Sequence, residues 1–224
     1  MGKFIPEYKG TLRSHMLDVP AAIFECSGII IFGKRIKSII FSTDVAVIAN
    51  INADAIIAVY PFTPQPKITG AIISVADKPV FTGVGGGLTN GLRSVRLAAE
   101  AENLGAYGVV VNAPMAAETI QLIKERIDIP VIATIVSPKQ DFSERIRAGA
   151  DILNVSAASQ TPETVRRIRE KYPDFPIIAT GGPTDASITE TIRAGANAIS
   201  YTPPTNGGLF SEVMEKYRND YCRE

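Results

Sequence analysis

Two kinds of residue in this chain stand where chemistry could be done: glycines that follow short apolar runs, and a sparse set of polar side chains in the same places. Thr180-Gly181-Gly182 precedes a stretch that carries Asp185 in its first turn, and Tyr201-Thr202-Pro203-Pro204-Thr205-Asn206-Gly207-Gly208 repeats the arrangement further on. Unhindered backbone N–H groups at a helix N-terminus are what an anion needs. Gly181, Gly182, Thr202, Asn206 and Gly207 therefore form a candidate phosphate clamp, against the plainer reading that the glycines only permit a tight turn. A third glycine run, Gly83-Val84-Gly85-Gly86-Gly87-Leu88-Thr89-Asn90-Gly91, lacks the Lys-Ser/Thr ending of a triphosphate cradle. Gly85, Gly86 and Gly87 read instead as a lid or a close backbone approach to a ligand. Arg93 and Arg96 begin the next helix, either swinging a cation over the mouth, with Arg93 contacting ligand, or simply solvated.

Proton-transfer groups are scarce. Asp44 is the one carboxylate directly after a β-branched run, so it is the candidate general base, unless Ser42-Thr43-Asp44 caps the helix that follows. Asn112 and Asn154 end two other runs, where their amides would orient a substrate or complete a buried polar layer; neither transfers a proton. No convergent His, Asp and Glu set suggests a metal. The single histidine, His15, lies far from every other candidate, which excludes a Ser-His-acid hydrolase.

The elements that must position these residues announce themselves by repetition. Pro130-Val131-Ile132-Ala133-Thr134 recurs 46 positions on as Pro176-Ile177-Ile178-Ala179-Thr180, and Arg147-Ala148-Gly149-Ala150 recurs as Arg193-Ala194-Gly195-Ala196. That spacing holds two strand-plus-helix units. Eight short β-branched runs are expected as strands: Ile36 to Ser42, Ala55 to Tyr60, Pro79 to Val84, Tyr107 to Asn112, Pro130 to Ile135, Asp151 to Ser156, Pro176 to Gly181 and Asn197 to Thr202. The clearest helices are Arg93 to Leu104, Ala116 to Ile127, Phe142 to Ala148, Pro162 to Lys171 and Ala186 to Ala194. Gly105, Gly149 and Gly195 read as left-handed caps, with Arg147 and Arg193 suiting the helix dipole. Thr161-Pro162-Glu163 marks a helix start, with Thr161 as its cap. The expected fold is α/β, a single (β/α)8 TIM barrel over residues 1–224. Residues 1–35 would supply an N-terminal helix (11–27) and a bottom cover, and residues 36–224 the eight βα units.

Composition agrees. The 224 residues are 46% hydrophobic and 21% charged, rich in the residues of doubly buried parallel strands. A formal net charge of zero argues against nucleic acid and anionic membranes as partners. Arg166, Arg167, Arg169 and Lys171 could make a nucleic-acid face, but a solvated outer helix explains them better. Cys26 and Cys222 read as free thiols of a cytoplasmic protein, and no apolar run is long enough to span a bilayer. Ile29-Ile30-Ile31-Phe32 lies outside the eight strands and needs a cover, which suggests a homo-oligomer.

Ile177-Ile178-Ala179-Thr180-Gly181-Gly182 with Ala194-Gly195-Ala196-Asn197-Ala198-Ile199-Ser200 resembles the last quarter of the ribulose-phosphate-binding barrel superfamily. The triplet is similar to the phosphate turn of ketodeoxyphosphogluconate aldolases, whose Schiff-base lysine on strand six is replaced here by Ile152-Leu153-Asn154-Val155-Ser156. N-acetylmannosamine-6-phosphate epimerases look alike in size and repeat, with Tyr60 and Thr180 standing where they carry lysine and glutamate. The RNA-binding glycerol-operon antiterminators are similar over the last two strands. Some similar bacterial barrels carry a generic hydrolase label, for which no constellation is present here. The resemblance implies a phosphate pocket without the catalytic residues of those families. The expected function is binding of a small phosphorylated metabolite at the barrel mouth, as an isomerase or lyase without a cofactor. The alternatives are a ligand-responsive RNA-binding regulator and a flavin mononucleotide enzyme.

Overall fold

The computed structural model describes residues 4, 6, 8, 10, 11 and 16–221. An antiparallel hairpin, β1 (Ile29–Ile31) and β2 (Lys34–Ile36), precedes eight parallel strands: β3 (Ser38–Phe41), β4 (Ala55–Ala58), β5 (Val80–Gly85), β6 (Gly108–Val111), β7 (Val131–Ile135), β8 (Ile152–Val155), β9 (Ile177–Thr180) and β10 (Ala198–Tyr201). These pair in order, and β10 closes on β3. Their ends differ from the expected ones by no more than two residues. The helices between them are α1 (Val45–Ala49), α2 (Pro66–Val75), α3 (Leu92–Asn103), α4 (Ala117–Lys124), α5 (Phe142–Arg147), α6 (Thr161–Lys171) and α7 (Asp185–Arg193), with α8 (Asn206–Tyr221) after β10.

Alternation along each strand sorts the core into two parts. Ile39, Ile57, Phe81, Val110, Ile132, Ile152, Ile178 and Ala198 point inward, while residues such as Ile40, Val109, Leu153 and Ile199 face the helices. Ile29, Ile31 and Ile36 of the hairpin join the inward set, so β1 and β2 plug the barrel floor. The hairpin therefore covers two of the three isoleucines of Ile29–Ile31 from within the chain, leaving Ile30 at 72% exposure.

The repeated cap sequence has a second use. Gly149 and Gly195 sit at φ +105° and +113°, and the residues two places on, Asp151 and Asn197, reach across the barrel bottom. Asp151 Oδ2 accepts the N–H of Val131 at 2.8 Å and Asn197 Oδ1 that of Ile177 at 2.9 Å; Asp54 does the same for Ser38 at 2.9 Å. Each clamp ties the start of one strand to the residue leading into the next, so the floor is a stability layer.

The expected helix over 11–27 is not formed where the structure is described; residues 12–15, His15 among them, lie outside the described part, as does Cys222. Residues 16–20 are irregular, and Ala21–Glu25 is a single 3-10 turn. Pro20 is the reason: it has no N–H to donate and holds Val19 out of the helical region. Leu17 instead pairs alongside Ile51, and the N–H of Val19 bonds Asn52 Oδ1 at 2.8 Å. Thr161 is the first residue of α6 rather than its cap; its hydroxyl accepts the N–H of Ala157, closing the preceding turn.

Candidate active site

The inward parity of the strands carries past their ends, so the residue after the last apolar inward position faces the mouth. In β6 to β10 that position holds Asn112, Thr134, Asn154, Thr180 and Ser200, followed by Ser156 and Thr202; in β3 and β4 it holds Phe41 and Val59. Together with Ile57, Val110 and Val136 they line a cavity of about 290 Å³, half apolar and half hydroxyl and amide. Among the described residues none of its lining side chains is charged. Asn154 Nδ2 donates to Thr134 Oγ1 at 3.4 Å, and Asn154 Oδ1 is buried without a partner. Whichever way that amide is turned, one of its polar atoms is left for something in the cavity.

A second cavity of about 190 Å³ shares Val59 and Asn112 with the first and is walled by Tyr60, Pro61, Phe62, Gly83, Gly85, Gly86 and Thr89. Tyr60 is the one titratable side chain lining either space among the described residues. Its phenol oxygen accepts the N–H of Gln65 at 2.8 Å, which leaves its own proton free to be donated. Strand-end hydroxyls and amides, Tyr60 among them, are legible in the sequence; the bond by which Gln65, the N-cap residue of α2, holds Tyr60 at the smaller cavity is not.

The glycine run is tethered. The carbonyl of Gly85 accepts the N–H of Asn112 at 2.9 Å, and the N–H of Gly86 donates to Thr89 O at 2.8 Å. A Cβ on Gly86 would lie 2.6 Å from Cβ of Asn112 and 3.0 Å from its backbone, at φ +114°. The glycines thus let the loop lie against Asn112; Gly85 and Gly86 line the smaller cavity, while Gly87 and Arg93 line neither. The turn that follows Asn112 is held by Arg145, a buried arginine on α5 that donates to the carbonyl of Ala113 at 2.7 Å and also to that of Met115.

Asp44 lines neither cavity. It caps α1, Oδ1 accepting from Ala46 N at 3.1 Å and Val47 N at 3.3 Å, while Oδ2 accepts from Asn206 N at 3.0 Å. One carboxylate thus serves two helix N-termini, including the α8 terminus where the strand-eight arm of the phosphate clamp was expected. The other arm is partly engaged as well. The N–H of Gly181 donates to Ser200 O at 3.2 Å, and α7 is closed by a reciprocal Thr184–Ser187 capping box. Gly181 lacks a side chain because a Cβ there would lie 2.7 Å from Ile199 and 2.8 Å from Ile188, which is a packing demand. Among the described residues the N–H groups of Gly182 and Gly207 have no acceptor, and Thr180 and Thr202 line the larger cavity.

The arginines of α6 are engaged within the chain: Arg166 pairs with Glu190 at 3.2 Å, Arg167 donates to Pro138 O, and Arg169 donates to the carbonyls of Gly195, Pro173 and Phe175 and to Asn197 Oδ1. Burial pulls the Arg169 guanidinium below its ordinary pKa. Among the described residues no group of three or more His, Cys, Asp or Glu could hold a metal, and no helix is long and apolar enough to cross a membrane.

A closed ring of eight parallel strands with a polar cavity at their carboxyl ends makes this molecule a TIM-type (β/α)8 barrel. No family model and no curated protein matches the chain. Among solved structures it is similar to a phosphonopyruvate hydrolase in complex with oxalate and Mg++ (TM-score 0.62, 15% identity, 83% of each chain). It is similar also to 2,3-dimethylmalate lyase, a PEP mutase/isocitrate lyase superfamily member (0.61, 15%, 91% of this chain and 86% of that one). A third is a dihydrodipicolinate synthetase from Pseudomonas aeruginosa, described there as putative (0.59, 16%, 80% and 76%). At these identities the likeness carries the fold; the ribulose-phosphate-binding superfamily suggested by the glycine triplet is not among these three.

Proposed function

We propose that this barrel is a cytoplasmic enzyme that binds a small phosphorylated metabolite in the mouth and acts on it as an isomerase or lyase. The carrying observation is the unpaired polar atom of Asn154, buried in a cavity whose other polar lining is all hydroxyl and amide. Such a lining recognises hydroxyl and carbonyl groups by hydrogen bonds and leaves no fixed charge to repel an anion. In this reading Asn112 and Asn154 orient the substrate, and its phosphate lies toward the open N–H of Gly182 and the hydroxyls of Thr180 and Thr202. Tyr60 supplies the proton, its phenol O–H donating to an enolate or alkoxide that forms at a polarised carbonyl. Asp44, held by three N–H groups, positions α1 and α8 instead of acting as base. The central cavity of about 290 Å³ suits a metabolite of a few carbons better than a tricyclic flavin, as ligand pockets for larger molecules run to roughly 1,000 Å³.

The experiment is a thermal-shift and turnover screen of three- to six-carbon sugar phosphates against the same sugars without phosphate, on wild type and Tyr60→Phe. Phosphorylated members alone should stabilise both proteins, and turnover should fall at least about a hundredfold in Tyr60→Phe with binding retained. Equal stabilisation by the unphosphorylated sugars would overturn the substrate class. Undiminished turnover in Tyr60→Phe would overturn the proton donor. A regulator without catalysis is the second reading, favoured by a larger cavity in which no described side chain is charged; ligand binding with no turnover of any member would favour it.

A further inference from the structure

The last helix does not sit where a barrel's eighth helix would. The outer faces of β10 and β3 are sealed without it: Ile199 and Ile40 are fully buried, and the 3-10 turn carrying Ile23, itself fully buried, packs on α7. The segment from Leu17 to Glu25 thus fills the wall between α7 and α1, tied to the end of α1 through Asn50 and Asn52. Displaced, α8 buries none of its residues.

Yet α8 has a face. At 100° per residue, Leu209, Phe210, Val213, Met214, Tyr217 and Tyr221 fall within an arc of about 140°. Phe210 is 64% exposed and Tyr217 53%, on a helix about 24 Å long that is held to the barrel at its first residue by Asp44. Charge says what lies against this stripe. Glu212 and Lys216 flank the same edge, so two copies of α8 laid antiparallel about a two-fold axis at Met214 set each Glu212 against Lys216 of the other copy. A parallel pair brings unlike edges together and gains neither contact.

We propose that α8 is a dimerisation arm whose apolar stripe packs antiparallel against α8 of a second copy of this chain. A single pair of helices of this length makes a small interface, so the dimer should form and dissociate with concentration.

Sedimentation equilibrium of the full chain across a concentration series tests this. Wild type should be a dimer, and the double variant Phe210→Asp, Tyr217→Asp a monomer that melts where wild type does once wild type is diluted below its dissociation constant, since neither side chain is buried within its own chain. Glu212→Lys alone and Lys216→Glu alone should each dimerise at least about tenfold more weakly. Mixed together they should associate as wild type does, because both cross-copy pairs are then opposite in charge while the pair within each helix stays repulsive. A wild type that remains monomeric at high concentration would overturn the proposal. So would a dimer unaffected by the Asp substitutions, and so would a mixture no tighter than its components, which would place α8 on another surface of its mate.

Discussion

Replacing Asp44 separates its work as a cap from any role as a base. In Asp44→Asn the side-chain carbonyl still accepts from Ala46 and Val47, and asparagine caps a helix as well as aspartate. The amide nitrogen, however, cannot accept from Asn206. What is lost is one charge-assisted hydrogen bond in a solvent-reached place, about 1 kcal/mol, below the usual range of its class because water competes for both groups. Asp44→Ala loses the α1 cap as well, for a total of about 2 kcal/mol. For a chain of this size each kcal/mol is about 2–4 °C in Tm, so the two variants should melt about 3 °C and about 6 °C below wild type. Scanning calorimetry reads the ranking, and hydrogen exchange should show the first amides of α8 opened in both variants while the barrel strands keep their protection. Turnover per folded molecule should change little in Asp44→Asn. Equal melting of all three proteins, or a loss for Asn as large as for Ala, would refute the two-helix cap; a collapse of turnover with full stability would return Asp44 to the role of base.

Gly181→Ala should lower stability by about 1–3 kcal/mol, because its Cβ must push aside Ile199 and Ile188, whereas Gly207→Ala, with no atom nearer than Thr205 at 4.0 Å, should be close to neutral; denaturant melts of both check it. Cys26 is buried, and desolvation raises its thiol pKa, so peptide mapping after alkylation at neutral pH should find it unmodified until the chain unfolds. Because the raised pKa favours the neutral thiol, its contribution to stability is complete below the ordinary thiol pKa of about 8.5 and declines as pH rises through the folded value. Arg169→Lys should destabilise by about 1–3 kcal/mol, since an ammonium cannot reach the four acceptors the guanidinium holds between α6, the Pro173–Phe175 turn and Asn197; calorimetry at neutral pH would show it.

The barrel was legible because parallel strands buried on both faces are written as short β-branched runs, and because α5 and α7 end in the same Ala-Gly-Ala cap. The hairpin Ile29–Ile36 was not, since its turn is Phe32-Gly33, both at positive φ, without the Asn-Gly or Asp-Gly that usually announces such a turn. The N-terminal helix was read from periodicity across Pro20, where the missing N–H outweighed the spacing of Leu12, Met16, Val19 and Ile23. In the site, Asn112, Asn154 and Thr180 were findable from strand parity alone. The engagement of Asp44 with Asn206 joins residues 162 positions apart, and nothing local foretells it. Tyr60 was visible as a strand-end residue; that its hydroxyl stands at the wall of the smaller cavity follows only once the cavity walls are known.

The mouth cavity is the centre of this account, and the most direct test is a crystal soaked with whichever sugar phosphate stabilises the protein most. The ligand should lie between Asn112, Thr134, Asn154 and Thr180, with a polar atom within about 3.2 Å of the unpaired atom of the Asn154 amide. Ligand density seated elsewhere, with that amide still unpartnered, would contradict it.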